Sequence, residues 1–123
     1  MKDEFNNLYW HDAILESFYL DRSNPGHQDT VKLLIEWPEG KKTYLEFFDC
    51  YELQMEMNFG IVANESILTA ECITESEEIE DVREKWQKMG VDLKDLKCFF
   101  INTNSTNSIL KIFALNFRMQ NFE

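Results

Sequence analysis

The sequence predicts an α+β domain: a curved antiparallel sheet of about five or six strands, in the usual size range for sheets, with one amphipathic helix packed on one face. Three observations predict it. Segments in which apolar and polar residues alternate recur along the chain, separated by turns containing Pro, Gly and Asn, as half-buried strands require. A single segment, residues 74–90, instead repeats its apolar residues at helical spacing. Ten Phe and three Trp in 123 residues supply enough bulk for one dense core. The chain therefore reads as a single domain over residues 1–123, with no internal repeat and no linker.

Residues 1–11 read as a polar lead-in that ends in Leu8-Tyr9-Trp10-His11. Over 13–21, Ile14, Phe18 and Leu20 share one face and Leu15 and Tyr19 the other, giving a strand buried partly on both sides. Ser23-Asn24-Pro25-Gly26 turns the chain, because Pro presets φ and Gly accepts positive φ. Over 30–37, Val31, Leu33, Ile35 and Trp37 alternate with Lys32 and Glu36 to make a second strand. Pro38-Glu39-Gly40-Lys41 turns again into a third strand over 43–49, with Leu45 and Phe47 opposite Tyr44, Glu46 and Phe48. Short loops between consecutive strands make an antiparallel meander. Residues 51–59 fit a further extended segment, with Leu53, Met55, Met57 and Phe59 against Gln54, Glu56 and Asn58, and Gly60 marks a bend. Residues 66–73 fit another short strand.

In the helix, Thr74 with Glu77 matches a capping box, and Glu75, Glu77 and Glu78 sit where the helix dipole favours anions. Ile79, Val82, Trp86 and Met89 form its apolar stripe. Asp81–Lys85 and Glu84–Lys88 are spaced for i,i+4 pairing, and Gly90 suits the residue just past the end. The last strands span 96–102 and 108–119, joined by the polar loop 102–108. In the second of these, Ile109, Phe113, Leu115 and Phe117 face one way and Leu110, Ile112 and Ala114 the other, the pattern of a central strand covered on both faces.

Charge is segregated. Residues 43–82 hold eleven carboxylates (Glu46, Asp49, Glu52, Glu56, Glu65, Glu71, Glu75, Glu77, Glu78, Glu80 and Asp81) and no Lys or Arg, and so account for the whole net charge of −11. Tyr44, Phe47, Phe48, Tyr51 and Phe59 are interleaved with them, so this is a folded acidic segment rather than a solvated tail. An acidic surface meets a cationic partner or serves solubility. It lacks the basic patch that nucleic acid requires. No apolar run approaches the length of a membrane helix, and Met-Lys-Asp-Glu-Phe-Asn-Asn has no apolar core of a secretory signal. Cys50, Cys72 and Cys98 are odd in number and widely spaced, which fits free buried thiols in a reducing cytoplasm.

No catalytic constellation emerges. His11 beside Asp12 has the chemistry of a base with its orienter or of a metal-ligand pair, but neighbours on a strand point to opposite faces. Their alternative role is to fix the start of the first strand by bonding the backbone. His27 reads as an exposed turn residue, and Cys50, with no adjacent cation, as a buried thiol. Asp49, Glu52 and Glu56 lack the spacing of a calcium loop, and four glycines leave no phosphate-binding loop, so neither metal nor cofactor is expected. Glu52, Glu56, Glu65 and Glu71 alternate with core residues and should point outward, making them the expected partner-binding carboxylates. The small polar residues of the loop 102–108 are a second candidate contact.

Trp10-His11-Asp12-Ala13, Asp21-Arg22 at a strand end and Phe47-Phe48-Asp49-Cys50 resemble the small bacterial immunity protein 50 family over roughly the first half of the chain. The resemblance implies an antiparallel α+β domain encoded beside a polymorphic toxin, which it binds and neutralises in the cytoplasm, with no catalytic residues to carry over. The expectation is thus a non-enzymatic binding protein whose partner is a basic toxin domain, without nucleic acid or membrane. The alternative is a small enzyme or ligand-binding domain using His11 and Asp12 in a pocket between sheet and helix. A structural subunit that forms a homodimer through an edge strand or an apolar face is a third arrangement.

Overall fold

The computed structural model describes residues 1–122. Its elements run α1 (Lys2–Asn6), β1 (Ile14–Leu20), β2 (Thr30–Glu36), β3 (Lys42–Glu56), β4 (Ile67–Ile73), α2 (Glu77–Gln87), β5 (Lys97–Thr103) and β6 (Ile109–Asn121). The six strands form one antiparallel sheet in the order β1-β2-β3-β6-β5-β4. β6 is central, as its two-sided apolarity predicts. It pairs along most of its length with β3, from Thr43–Asn121 to Glu56–Ile109. The expected separate strand over 51–59 does not exist. β3 runs on to Glu56 through a register shift between Cys50 and Glu52.

The sheet curls until its two edges touch at one end. Ile14 of β1 bridges Ser66 ahead of β4, with Ile67 N donating to Ala13 O at 2.7 Å and Leu15 N to Glu65 O at 2.9 Å. Beyond that end the edges diverge, and α1 fills part of the gap beside β4. The Asn6 side chain accepts from Cys72 N at 2.7 Å, capping one edge group. Phe5 is completely buried among Trp10, Phe47, Phe99 and Phe117. The expected polar lead-in is therefore a helix that places one aromatic in the core. A helix this short contributes a single apolar residue, and one residue has no period.

Two cores lie on opposite faces. The inner face, which carries α1, gathers Leu15, Val31, Leu33, Ile35, Leu45, Phe47, Phe99, Ile101, Ile112 and Phe117 among others. The outer face packs Phe113 and Cys98 beneath Ile79 and Val82 of α2, with Tyr51, Ile73, Trp86 and Leu115 at the margin. Two assignments change sides. Leu15 joins Phe18 on the inner face because the register shifts between Leu15 and Ser17. Phe117 lies with Phe47 rather than with Phe113. The opposing strand bends where Asp49 adopts φ 56°, so the alternation there slips by one. Phe59 leaves the sheet altogether and is 89% exposed.

The helix starts later than the capping box suggests. Ser76 is the N-cap, its Oγ accepting from Ile79 N at 3.1 Å, and Thr74 lies outside. The other end closes as a Schellman motif: Gly90, at φ 82°, donates to Gln87 O at 2.9 Å, and Val91 N to Trp86 O at 3.1 Å. Met89 is exposed and takes no part in the stripe. Lys85 reaches Glu52 on β3 at 3.3 Å instead of Asp81, because β3 passes beside the helix.

Candidate functional site

Strand register places the expected carboxylates. On the outer face Gln54, Lys111, Phe100 and Glu71 form one row across β3, β6, β5 and β4. At the spacing of paired strands this row spans about 14 Å. The next row begins Glu56, Ile109, Asn102 and Thr69. Helix α2 covers the rows around Phe113 and leaves these two in solvent. Phe100 and Ile109 are half-buried, while Glu56 and Glu71 are exposed. Lys111 is neutralised by Glu78 of α2, its Nζ 2.9 Å from the carboxylate. Glu56 and Glu71 form no ion pair among the described residues.

The other two expected carboxylates are engaged within the fold. Glu52, 24% exposed at its side chain, is held by Lys85 and by Gln54 Nε2 at 2.7 Å. Glu65 accepts a hydrogen bond from the Thr106 hydroxyl. The acidic stretch as a whole is divided among several surfaces: Glu46 pairs with Arg118 at 2.5 Å, and Glu75 and Glu80 flank Arg83. Arg83 also donates to the carbonyls of Leu93 and Lys94, tying α2 to the loop before β5.

The polar turn between β5 and β6 is built inward. Thr103, Thr106 and Ser108 are buried, and their hydroxyls satisfy one another, Thr106 Oγ1 to Ser108 Oγ at 2.7 Å. What this turn holds is the neighbouring loop 57–66. Asn58 donates from Nδ2 to Thr106 O at 2.8 Å and from its backbone N to Ser108 Oγ at 3.2 Å. At the other foot Ser66 N donates to Ser105 Oγ at 3.0 Å, and Asn104 N to Ser66 O at 2.9 Å. Between these feet the tip presents Phe59, Ile61 and Val62, at 89%, 52% and 105% exposure. The run Phe59-Gly60-Ile61-Val62-Ala63 was readable as apolar, but its spacing gave no reason to place it in solvent.

His11 and Asp12 lie in a turn, not on a strand, and Asp12 adopts φ 69°. That geometry brings His11 Nε2 within 3.7 Å of the Asp12 carboxylate, both side chains about two-thirds exposed. Nδ1 lies 3.3 Å from Leu68 O, and Asp12 N donates to Ile67 O at 3.0 Å, so the pair sits on the seam joining β1 to β4. His11 borders an open groove of about 460 Å³ with Tyr9, Trp37 and Pro38. The cleft between sheet and α2, about 530 Å³, is lined instead by Arg22, Thr30, Tyr51, Leu53 and Trp86. The Arg22–Asp29 pair, at 2.8 Å, borders it, and neither His11 nor Asp12 does.

Burial pushes the Cys50 and Cys98 thiols up to about 12, and Cys72 upward as well, which keeps all three protonated and weakly nucleophilic at neutral pH. Among the described residues no group of three or more His, Cys, Asp and Glu side chains converges as a metal site would require. Among the described residues no helix is long and apolar enough to cross a membrane. Family models, curated proteins and solved structures were compared with the chain, and none matches.

Proposed function

We propose that this is a non-enzymatic binding protein that recognises a basic protein through the open part of its outer sheet face, as an immunity protein would hold a toxin domain. One observation carries the reading. Glu56 and Glu71 stand unpaired in two open rows whose one lysine, Lys111, is already neutralised, beside the half-buried Phe100 and Ile109. Carboxylates around an apolar centre favour a cationic partner: the charges speed encounter and set register, and the apolar contacts govern release. The thiols, at about 12 for Cys50 and Cys98, offer no nucleophile, and His11 spends a ring nitrogen near the Leu68 carbonyl.

The test is capture of partners from a lysate of the encoding host, with identification at low and at high salt. A basic protein held at low salt and weakened at high salt, and captured more slowly by Glu56→Gln/Glu71→Gln, is the expected result. Salt-insensitive capture that the double variant leaves unchanged would refute the acidic face. A partner or ligand lost on His11→Ala would favour instead the groove beside Tyr9 and Trp37.

A further inference from the structure

The loop 57–66 combines two properties that seldom occur together. Its tip exposes three apolar side chains, Val62 fully, Phe59 nearly so and Ile61 by about half. Its feet are fixed: Asn58 is bonded to Thr106 and Ser108, and Ser66 to Ser105 and Asn104. A loop held at both ends loses little freedom when something binds its tip, which is the condition for a strong anchor. Gly60, at φ 92°, makes the bend that sends Phe59 and Ile61 outward.

The surroundings select the occupant. Glu56, the last residue of β3, lies just ahead of the loop and is exposed, and no Lys or Arg occurs anywhere from 43 to 82. A second copy of the chain would bring a net charge of −11 against another −11. An anionic membrane surface is repelled for the same reason. An apolar cavity rimmed by Lys or Arg suits both the tip and its acidic border.

We propose that the loop is the anchor of the recognition surface: Phe59, Ile61 and Val62 enter an apolar pocket on the basic partner, and Glu56 meets the cationic rim of that pocket. This rests on the binding role proposed above and assigns the partner's binding energy to the loop rather than to the sheet face. The turn 103–108 is then the support that holds the anchor, not a contact surface.

The test places a photoreactive residue in the full chain. With Val62 replaced by p-benzoylphenylalanine, irradiation in the host lysate is expected to give an adduct with the same basic protein that wild type captures at low salt. The same probe at Tyr19, toward the end of β1 opposite the Ile14–Ser66 bridge, should give none. Phe59→Ser/Ile61→Ser should weaken capture at least about 30-fold, the size of one central anchor, at an unchanged melting temperature. If this variant captures the partner as wild type does while Glu56→Gln/Glu71→Gln weakens capture, the loop proposal falls and the acidic face stands. If neither variant changes capture, or nothing is captured, both fall. An adduct with a second copy of the chain, or flotation of wild type but not the variant with phosphatidylglycerol vesicles, overturns the loop proposal in favour of those occupants.

Discussion

Phe5 of α1 meets Phe99 of β5 with 5.1 Å between ring centroids and planes at 61°, and the same Phe5 ring stands 5.2 Å from Phe117 of β6. One residue of a short helix thereby fills the inside of the curled sheet. Phe5→Ala should cost about 3–5 kcal/mol, the range for emptying a buried aromatic site. Phe59→Ala, which removes the same side chain from solvent, should stay within about 0.5 kcal/mol. Urea denaturation of both variants checks the contrast. Equal midpoints would show that α1 is not part of the stable core.

The position of the helix cap is open to a direct comparison. Ser76 Oγ accepts from Ile79 N, whereas the sequence pattern favoured Thr74. Ser76→Ala should destabilise by about 1 kcal/mol and Thr74→Ala by less than about 0.5 kcal/mol. The reverse order, by thermal or chemical melting, would put the cap back at Thr74.

The buried thiols give an alkaline dependence. Cys50 and Cys98 are raised from 9.0 to about 12, chiefly by burial. The neutral thiol is thus favoured by folding: the stabilising contribution is complete below the unfolded value of 9.0 and is lost as pH rises from there toward about 12. One pH unit above the unfolded value each thiol should have lost about 1.4 kcal/mol. Denaturation midpoints at mildly and strongly alkaline pH should therefore fall less for Cys50→Ala/Cys98→Ala than for wild type. Iodoacetamide should label native protein slowly and denatured protein fast.

Asp49 sits within β3 at φ 56°, where a branched side chain is strained. Asp49→Val should cost about 1–2 kcal/mol, while Asp49→Gly should be neutral or slightly stabilising. Equal losses would mean that the 3.4 Å hydrogen bond from Asn116 Nδ2, not the backbone, fixes this residue.

The sequence by itself determined the repeating parts of this protein. Val31, Leu33, Ile35 and Trp37 line one face because side chains on a strand alternate, and Ile79, Val82 and Trp86 form one stripe because a helix repeats every 3.6 residues. Gly90 ended the helix for an equally local reason. Tertiary structure decided what no local period encodes. A shift of one residue at Ser17 or Cys50 reverses which face the next residues occupy, yet leaves composition unchanged. Phe5 has no neighbour in sequence that marks it as core, and only the gap beside β4 gives it a place. Glu52 and Glu65 alternated as outward residues do, but Lys85 and Thr106, distant in sequence, engage them. Which carboxylates stay free, and which apolar side chains stand in solvent, depends on which strands become neighbours. That is set by closing long loops against the entropy of the chain, and no short stretch of residues records it.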